Sequence, residues 1–192
     1  MKEFAIKAFD DSAEIKRRFA RDHADRIVQV AQLIGGAFQA GHKVLLFGNG
    51  GSSTDAAHIA AEFVGRYKRE RAPLPAIALA TDIAAITCIA NDYGFDELFA
   101  RQVQAHGQRG DVAIAISTSG NSLNVLKGVE AAKALGLTTI AWTGGSGGKL
   151  AGMVDYAFVV PSTLTARIQE SHITLGHVLC ELIEDHVLAN PA

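Results

Sequence analysis

The sequence has 192 residues, of which 48% are hydrophobic and 20% are charged. This length and composition are typical of a globular chain with one substantial core, so we expect a single domain spanning residues 1–192. The formal net charge of −2 provides no broad positive surface for a polyanion. We therefore expect no nucleic-acid partner.

The N-terminal residues, the hydropathy of the chain and its two cysteines bear on where the protein is located in the cell. Residues 1–11 mix charged with apolar side chains, unlike a secretory signal, and no segment approaches the roughly 18 apolar residues of a membrane span. Cys88 and Cys180 lie in apolar segments and match no metal-binding or redox spacing, so we expect both to be reduced and buried. These features predict a cytoplasmic protein without a membrane partner.

Helical periodicity dominates residues 1–40, where apolar side chains recur at helical spacings and predict an N-terminal segment of one or two long helices. The pattern then changes within residues 41–192. Short runs that are nearly all apolar predict five strands, at 44–47, 76–80, 112–116, 138–142 and 156–160. Because they lack polar alternation, these runs are typical of parallel strands covered by helices on both faces.

The intervening segments predict the covering helices, at 52–67, 83–106 and 122–135, followed by a long amphipathic helix at 165–189. The expected fold class is α/β, with a five-stranded, parallel, doubly wound, flavodoxin-like sheet and long helices at both ends. Such terminal helices exceed what one small sheet can bury, which indicates helix packing between subunits. Ligands in this class bind beyond the carboxyl ends of the strands, where the strand order reverses.

A glycine-rich loop, residues 48–53 (GNGGSS), follows the first strand and leads into a predicted helix. Glycines let a ligand approach the backbone and the helix N-terminus favours an anion, although a tight turn alone would use the same residues. Ser53 stands where a dinucleotide-binding fingerprint needs its third glycine. The Gly148-Lys149 pair lacks both the leading glycine and the following Ser or Thr of a P-loop, so neither nucleotide motif is present.

The loop after the third strand, called the serine loop below, contains four hydroxyl residues, Ser117, Thr118, Ser119 and Ser122. It again leads into a predicted helix. Hydroxyls can surround a phosphate with donors, and hydrogen bonds to charged groups contribute roughly 1.5–3 kcal/mol each. A serine-rich turn and helix cap would explain one such loop equally well. Two such loops after parallel strands favour a phosphorylated small molecule.

Candidate metal ligands or acid–base groups lie on two predicted helices. His58 and Glu62 are four residues apart and project from one face, as metal ligands, a proton-transfer pair or an ordinary exposed contact. Gln169, His172 and His177 are polar residues on the last helix. Gln169 and His177 differ by about 80° around its axis, so both can line one cleft. Satisfied polar groups at a subunit interface are the alternative.

The chain resembles the phosphoheptose isomerases of the sugar isomerase (SIS) domain superfamily in four ordered blocks, GNGGSSTDAAHIAAEFVGRY, IANDYGFDELFARQVQA, ISTSGNSLNV and TARIQESHITLGHVL. The resemblance implies conversion of D-sedoheptulose 7-phosphate to D-glycero-D-manno-heptose 7-phosphate. That reaction is the first step toward ADP- or GDP-activated heptose for lipopolysaccharide, capsule or S-layer glycan. The resemblance also implies a homotetramer with active sites between subunits, and one zinc ion per subunit.

The same resemblance assigns roles to residues. It implies metal ligands at His58, Glu62, Gln169 and His177. It implies substrate contacts at Asn49, Gly50, Gly51, Ser52, Glu62, Arg66, Asn91, Asp92, Ser117, Thr118, Ser119, Ser122 and Gln169, with the phosphate held by the serine loop. Glu62 is the expected catalytic base and His177 the expected catalytic acid of an isomerisation through an enediol.

Some positions depart from the family, and two rival functions stay open. Ser53 and Thr54 replace small apolar residues, and Ala166 stands where some members carry an acid, so fine substrate positioning is affected. One rival is a tetrameric binding module similar to the DnaA initiator-associating protein, which lacks parts of the catalytic set, whereas this chain has Glu62 and His177. The other is an isomerase or lyase for a different sugar phosphate, because phosphate loops constrain the sugar poorly.

Overall fold

The computed structural model describes residues 1–190, which form one sheet with helices on both faces. The strands are β1 Val44–Gly48, β2 Ala76–Ala78, β3 Val112–Ile116, β4 Thr138–Gly144 and β5 Tyr156–Val160. The helices are α1 Lys2–Gln39, α2 Gly51–Val64, α3 Ile83–Tyr93, α4 Leu98–His106, α5 Leu123–Leu135 and α6 Thr165–Ala189. Two short 3-10 turns, Phe95–Glu97 and Leu150–Gly152, complete the regular structure within residues 1–190.

The five strands are parallel and lie in the order β2-β1-β3-β4-β5. The predicted doubly wound, flavodoxin-like α/β fold is therefore confirmed. The order reverses between β1 and β3, which pair directly from Val44 opposite Val112 to Gly48 opposite Ile116. Because chain connections diverge there, the loops after β1 and β3 border the crevice where such sheets bind ligands.

Each face of the sheet has its own hydrophobic core, because successive strand residues point to opposite faces. Leu46 and Trp142 pack with α1, α2 and α6 in the first core. Leu45 and Phe47 pack with α4 and α5 in the second. This double coverage explains why every residue of β1 and of β3 is buried and why their sequences lack polar alternation.

The terminal helices pack against each other on the first face. α1 is one continuous helix whose buried residues begin at Ser12 and continue to Phe38, and α6 lies along it. The first turns of α1 remain uncovered, with Phe4 78% and Phe9 81% exposed. None of the helices within residues 1–190 has the length and apolar character needed to cross a bilayer.

Two expectations were wrong on the second face. The helix predicted across 83–106 is interrupted at Gly94, whose φ of +91° is a conformation that glycine adopts at little cost. A 3-10 turn follows, and the α-helix resumes at Leu98. Cys88 is exposed, whereas Cys180 is buried as expected. The reason is that no residue of α3 is buried within the chain, although its sequence is strongly apolar.

Candidate functional site

The glycine loop shapes the start of α2. Gly50 is the N-cap of α2 and supplies no capping side chain; instead, the amides of Ser52 and Ser53 donate to the backbone oxygens of Asn49 and Gly50 over 3.0 Å each. Gly51 permits a close approach by α6, because a Cβ atom at this position would lie 2.5 Å from Nε2 of Gln169. The absence of a side chain at residue 51 therefore allows Gln169 to lie against the loop.

The glycine loop and the serine loop are joined by a reciprocal pair of amide hydrogen bonds. Nδ2 of Asn49 donates to Oδ1 of Asn124 over 2.8 Å, and Nδ2 of Asn124 donates to Oδ1 of Asn49 over 2.9 Å. Asn124 is 3% exposed and lies in the first turn of α5. The sequence analysis assigned no role to Asn124, although this residue lies two positions after Ser122 and within the block ISTSGNSLNV.

Hydroxyl groups surround the end of β3. The Oγ atoms of Ser117 and Ser122 lie 3.1 Å apart, and Oγ of Ser119 accepts a hydrogen bond from the backbone N–H of Asn121. Ser122 is the N-cap of α5 but makes no capping bond with its side chain, which leaves the first-turn amides available to an anion. Thr118 and Ser119 also line an open cavity of about 250 Å³ at this edge of the sheet. The arrangement can receive a phosphate group.

Three of the four residues implied as metal ligands converge between α2 and α6. Nε2 of His58 lies 3.2 Å from Oε1 of Glu62 and 3.4 Å from Nε2 of His177. The side chain of His58 is 48% exposed and that of Glu62 is 24% exposed, so the cluster is open to solvent. Two imidazoles and a carboxylate at this spacing form a possible metal-binding triad.

The remaining predicted residues are placed elsewhere in the chain. Gln169 lies against Gly51, about 12 Å along α6 from His177 at 1.5 Å per residue. Arg66 is exposed and faces Glu70, with 3.8 Å between Nε and Oε2. Asn91 and Asp92 are exposed at the end of α3, where Nδ2 of Asn91 donates to Oδ1 of Asp92. The structure does not bring these four residues into contact with the triad.

His172 is separate from the triad. It is fully buried between α6 and β4, and its Nε2 donates to the backbone oxygen of Thr143. Burial lowers the pKa of His172 to about 4, since the surrounding core solvates the charged imidazolium poorly; the bond to Thr143 opposes this shift only in part. A neutral, buried imidazole of this kind contributes to packing rather than to the candidate site.

Known proteins match this chain over nearly its full length. Residues 9–144 match the SIS domain family. The phosphoheptose isomerase of Aquifex aeolicus is 59% identical over 187 residues, covering 97% of this chain and 98% of that protein. The phosphoheptose isomerase of Thermodesulfovibrio yellowstonii is 57% identical and covers 97% of this chain and 92% of its own length.

A solved structure gives the same result at the level of the fold. The phosphoheptose isomerase GmhA from Neisseria gonorrhoeae superposes with a TM-score of 0.91 at 43% identity, covering 96% of this chain and 98% of that one. The family match, the sequence identity over nearly the whole chain and the structural superposition all indicate the same family. The chain therefore belongs to the SIS domain family and, within it, to the phosphoheptose isomerases.

Proposed function

We propose that this protein converts D-sedoheptulose 7-phosphate to D-glycero-D-manno-heptose 7-phosphate. The observation that carries the proposal is the convergence of His58, Glu62 and His177 in a member of the phosphoheptose isomerases. The same convergence argues against the rival binding module, because such a module needs no acid–base pair. The reaction would supply heptose for nucleotide activation.

The phosphate group is proposed to bind at the serine loop. Ser117, Ser119 and Ser122 present hydroxyl groups beside the uncapped start of α5, where backbone amides and the helix dipole favour negative charge. The hydrogen bonds between Asn49 and Asn124 join the glycine loop to the first turn of α5, directly beyond the serine loop. Both loops border the strand-order reversal, where this class of sheet binds its ligands.

We propose that the triad holds zinc. Bonds of about 2.0–2.2 Å in a tetrahedral zinc site place neighbouring ligand atoms about 3.3–3.6 Å apart. The Nε2 atom of His58 lies 3.2 Å from its carboxylate neighbour and 3.4 Å from its imidazole neighbour, which fits that spacing. Zinc bound there would polarise the sugar carbonyl as a Lewis acid. The resemblance also implies Gln169 as a ligand, but Gln169 lies against Gly51, away from the triad, so the proposal rests on His58, Glu62 and His177.

Proton transfer is assigned to Glu62 and His177. Isomerisation of a ketose to an aldose removes a proton from one carbon and returns it to the neighbouring carbon through an enediol. Glu62 is proposed as the base, and His177 as the acid that protonates the oxygen on which charge develops, each through a side-chain atom that does not bind the metal. Open access to both side chains suits a substrate that enters from solvent.

The protein is proposed to act as a cytoplasmic homotetramer with active sites between subunits. Exposed apolar side chains support assembly, among them Phe4, Phe9 and Ile83, which are 78%, 81% and 75% exposed. Asn91 and Asp92 lie at the end of the uncovered α3. A second copy of the chain packed against α3 would bring Asn91 and Asp92 close to the substrate bound at the interface between the two subunits. Both cysteines are free, as in a reducing compartment.

The direct test is incubation of the purified protein with sedoheptulose 7-phosphate in D2O, followed by NMR. The expected product is the aldose with deuterium at C2, because an enediol exchanges its proton with solvent. Unlabelled product would keep the isomerase but replace solvent exchange with a shielded transfer. Absence of the aldose even with added zinc would refute the proposed reaction. Turnover of hexose phosphates in its place would support the rival function, an isomerase or lyase for a different sugar phosphate.

The base assignment is tested by Glu62→Gln, which keeps the shape of the side chain. Turnover should fall by roughly 10²–10⁴, the usual contribution of a positioned acid–base group. Circular dichroism of the variant should match the parent protein. Turnover close to that of the parent would show that another group removes the proton.

A further inference from the structure

A buried ion pair lies behind the triad and belongs to none of the assigned site residues. Nε of Arg71 is 3.2 Å from Oε1 of Glu184, and the two side chains are 3% and 2% exposed. Removing two charges from water costs several kcal/mol per ion unless further hydrogen bonds complete the arrangement. The further hydrogen bonds made by Glu184 and Arg71 therefore indicate which parts of the chain this ion pair holds in place.

The carboxylate of Glu184 gathers the segment that follows α2. It accepts hydrogen bonds from the backbone N–H groups of Tyr67, Lys68 and Arg69 at 3.2, 3.0 and 2.9 Å. Although burial opposes its ionisation, these amides and the Arg71 charge hold the pKa of Glu184 below its usual value. Glu184 is thus a carboxylate from α6 that fixes three consecutive amides.

The guanidinium of Arg71 holds the other end of the same segment. Its Nη2 donates to the backbone oxygen of Glu62 over 2.8 Å, and its Nη1 donates to those of Phe63 and Ala72 over 2.8 and 3.0 Å. The last carbonyls of a helix have no partner within the helix, and a cation there also complements the helix dipole. Arg71 therefore caps α2 at the residue that contributes Glu62 to the triad.

The network reaches the other half of the triad through an aromatic ring. The Tyr67 ring stacks on the ring of His177, with 5.7 Å between centroids and 21° between planes. Glu184 follows His177 by seven residues, or two turns of α6, and so lies on the same face of that helix. One set of contacts thus links the backbone of Glu62 to the imidazole of His177.

We propose that Tyr67, Arg71 and Glu184 are positioning residues that keep Glu62 and His177 together in the triad, whose ligand atoms lie within 4.8 Å of one another. None of the three is among the proposed metal ligands or substrate contacts, and they act by fixing α2 against α6. This inference rests on the proposed metal site. Residues that orient metal ligands typically contribute 10–100-fold to metal affinity.

The test compares Glu184→Gln with a matched control, Asp111→Asn. Asp111 is also a buried carboxylate that accepts from two backbone amides, those of Lys43 and Gln108, and it pairs with Nζ of Lys43 over 2.6 Å. Both substitutions replace a buried carboxyl group by its amide. Both should therefore lower the thermal unfolding midpoint measured in EDTA, which makes stability alone uninformative.

Zinc affinity, measured by competition with a chromophoric chelator, distinguishes the two variants. Glu184→Gln should bind zinc 10–100-fold more weakly than the parent, whereas Asp111→Asn should stay within about twofold. The visible absorption bands of the cobalt-substituted protein should shift only in Glu184→Gln. Parent-like zinc affinity and cobalt bands in folded Glu184→Gln would overturn the positioning role.

Two further outcomes are decided by the same measurements. If Glu184→Gln does not fold, Tyr67→Leu keeps the buried pair and removes the ring that stacks on His177, and it should weaken zinc binding by roughly 10-fold or more. Parent-like affinity of Tyr67→Leu would then overturn the proposal. Failure of the parent protein itself to bind zinc or cobalt would instead refute the metal site on which the proposal rests.

Discussion

Acidification should destabilise the protein through His172, and the structure gives the size of the effect. Nε2 of His172 donates to the Thr143 carbonyl, so Nε2 carries the proton of the neutral ring. Nδ1 is buried and has no hydrogen-bond partner among the described residues. A second proton would therefore place a charge in the core with nothing to accept from it, which is why the pKa of His172 falls from 6.5 to about 4.

The sign follows from the two pKa values. Between pH 6.5 and 4 the unfolded chain binds a proton at His172 and the folded chain does not, so stability is complete above pH 6.5 and declines as the pH falls. At 1.36 kcal/mol per pH unit, acidification from pH 7.5 to 5 should cost about 2 kcal/mol. The loss should level off below pH 4 at about 3 kcal/mol.

Urea unfolding of the parent and of His172→Leu measures this loss, at one protein concentration and in EDTA. The leucine variant leaves the Thr143 carbonyl without its donor, but that cost does not vary with pH and cancels from the comparison. Between pH 7.5 and 5 the parent should lose about 2 kcal/mol more of its unfolding free energy than the variant. Parallel losses in the two proteins would show that His172 does not resist protonation in the folded state.

Three further predictions concern the loops. Ser119→Ala should raise KM for the sugar phosphate about tenfold or more, as expected for one hydrogen bond to a charged group, and an unchanged KM would exclude phosphate binding at that hydroxyl. Gly51→Ala should displace Gln169, because the new Cβ would lie 2.5 Å from its Nε2, and kcat/KM should fall by up to about 100-fold. Asn124→Leu should leave the Asn49 amide without its partner and lower the unfolding free energy by about 1–3 kcal/mol, measured in urea.

The architecture could be predicted because its signals are local or periodic. Unbroken apolar runs identified the five strands, and the residues that follow β1 and β3 identified the two loops at the strand-order reversal. His58 and Glu62 could be paired because a helix fixes the relation between residues four apart. The interruption at Gly94 was missed, since one glycine within an apolar, helix-like stretch does not by itself specify a positive φ.

Other features depend on contacts between distant parts of the chain. His58 and His177 are 119 residues apart in sequence and meet because α2 and α6 pack on the same face of the sheet. The Asn49–Asn124 pair and the Arg71–Glu184 pair likewise join separate elements. Hydrophobic periodicity predicts which face of each helix is buried. The distance between two particular side chains on different helices is set by how those faces pack, and only the tertiary structure decides it.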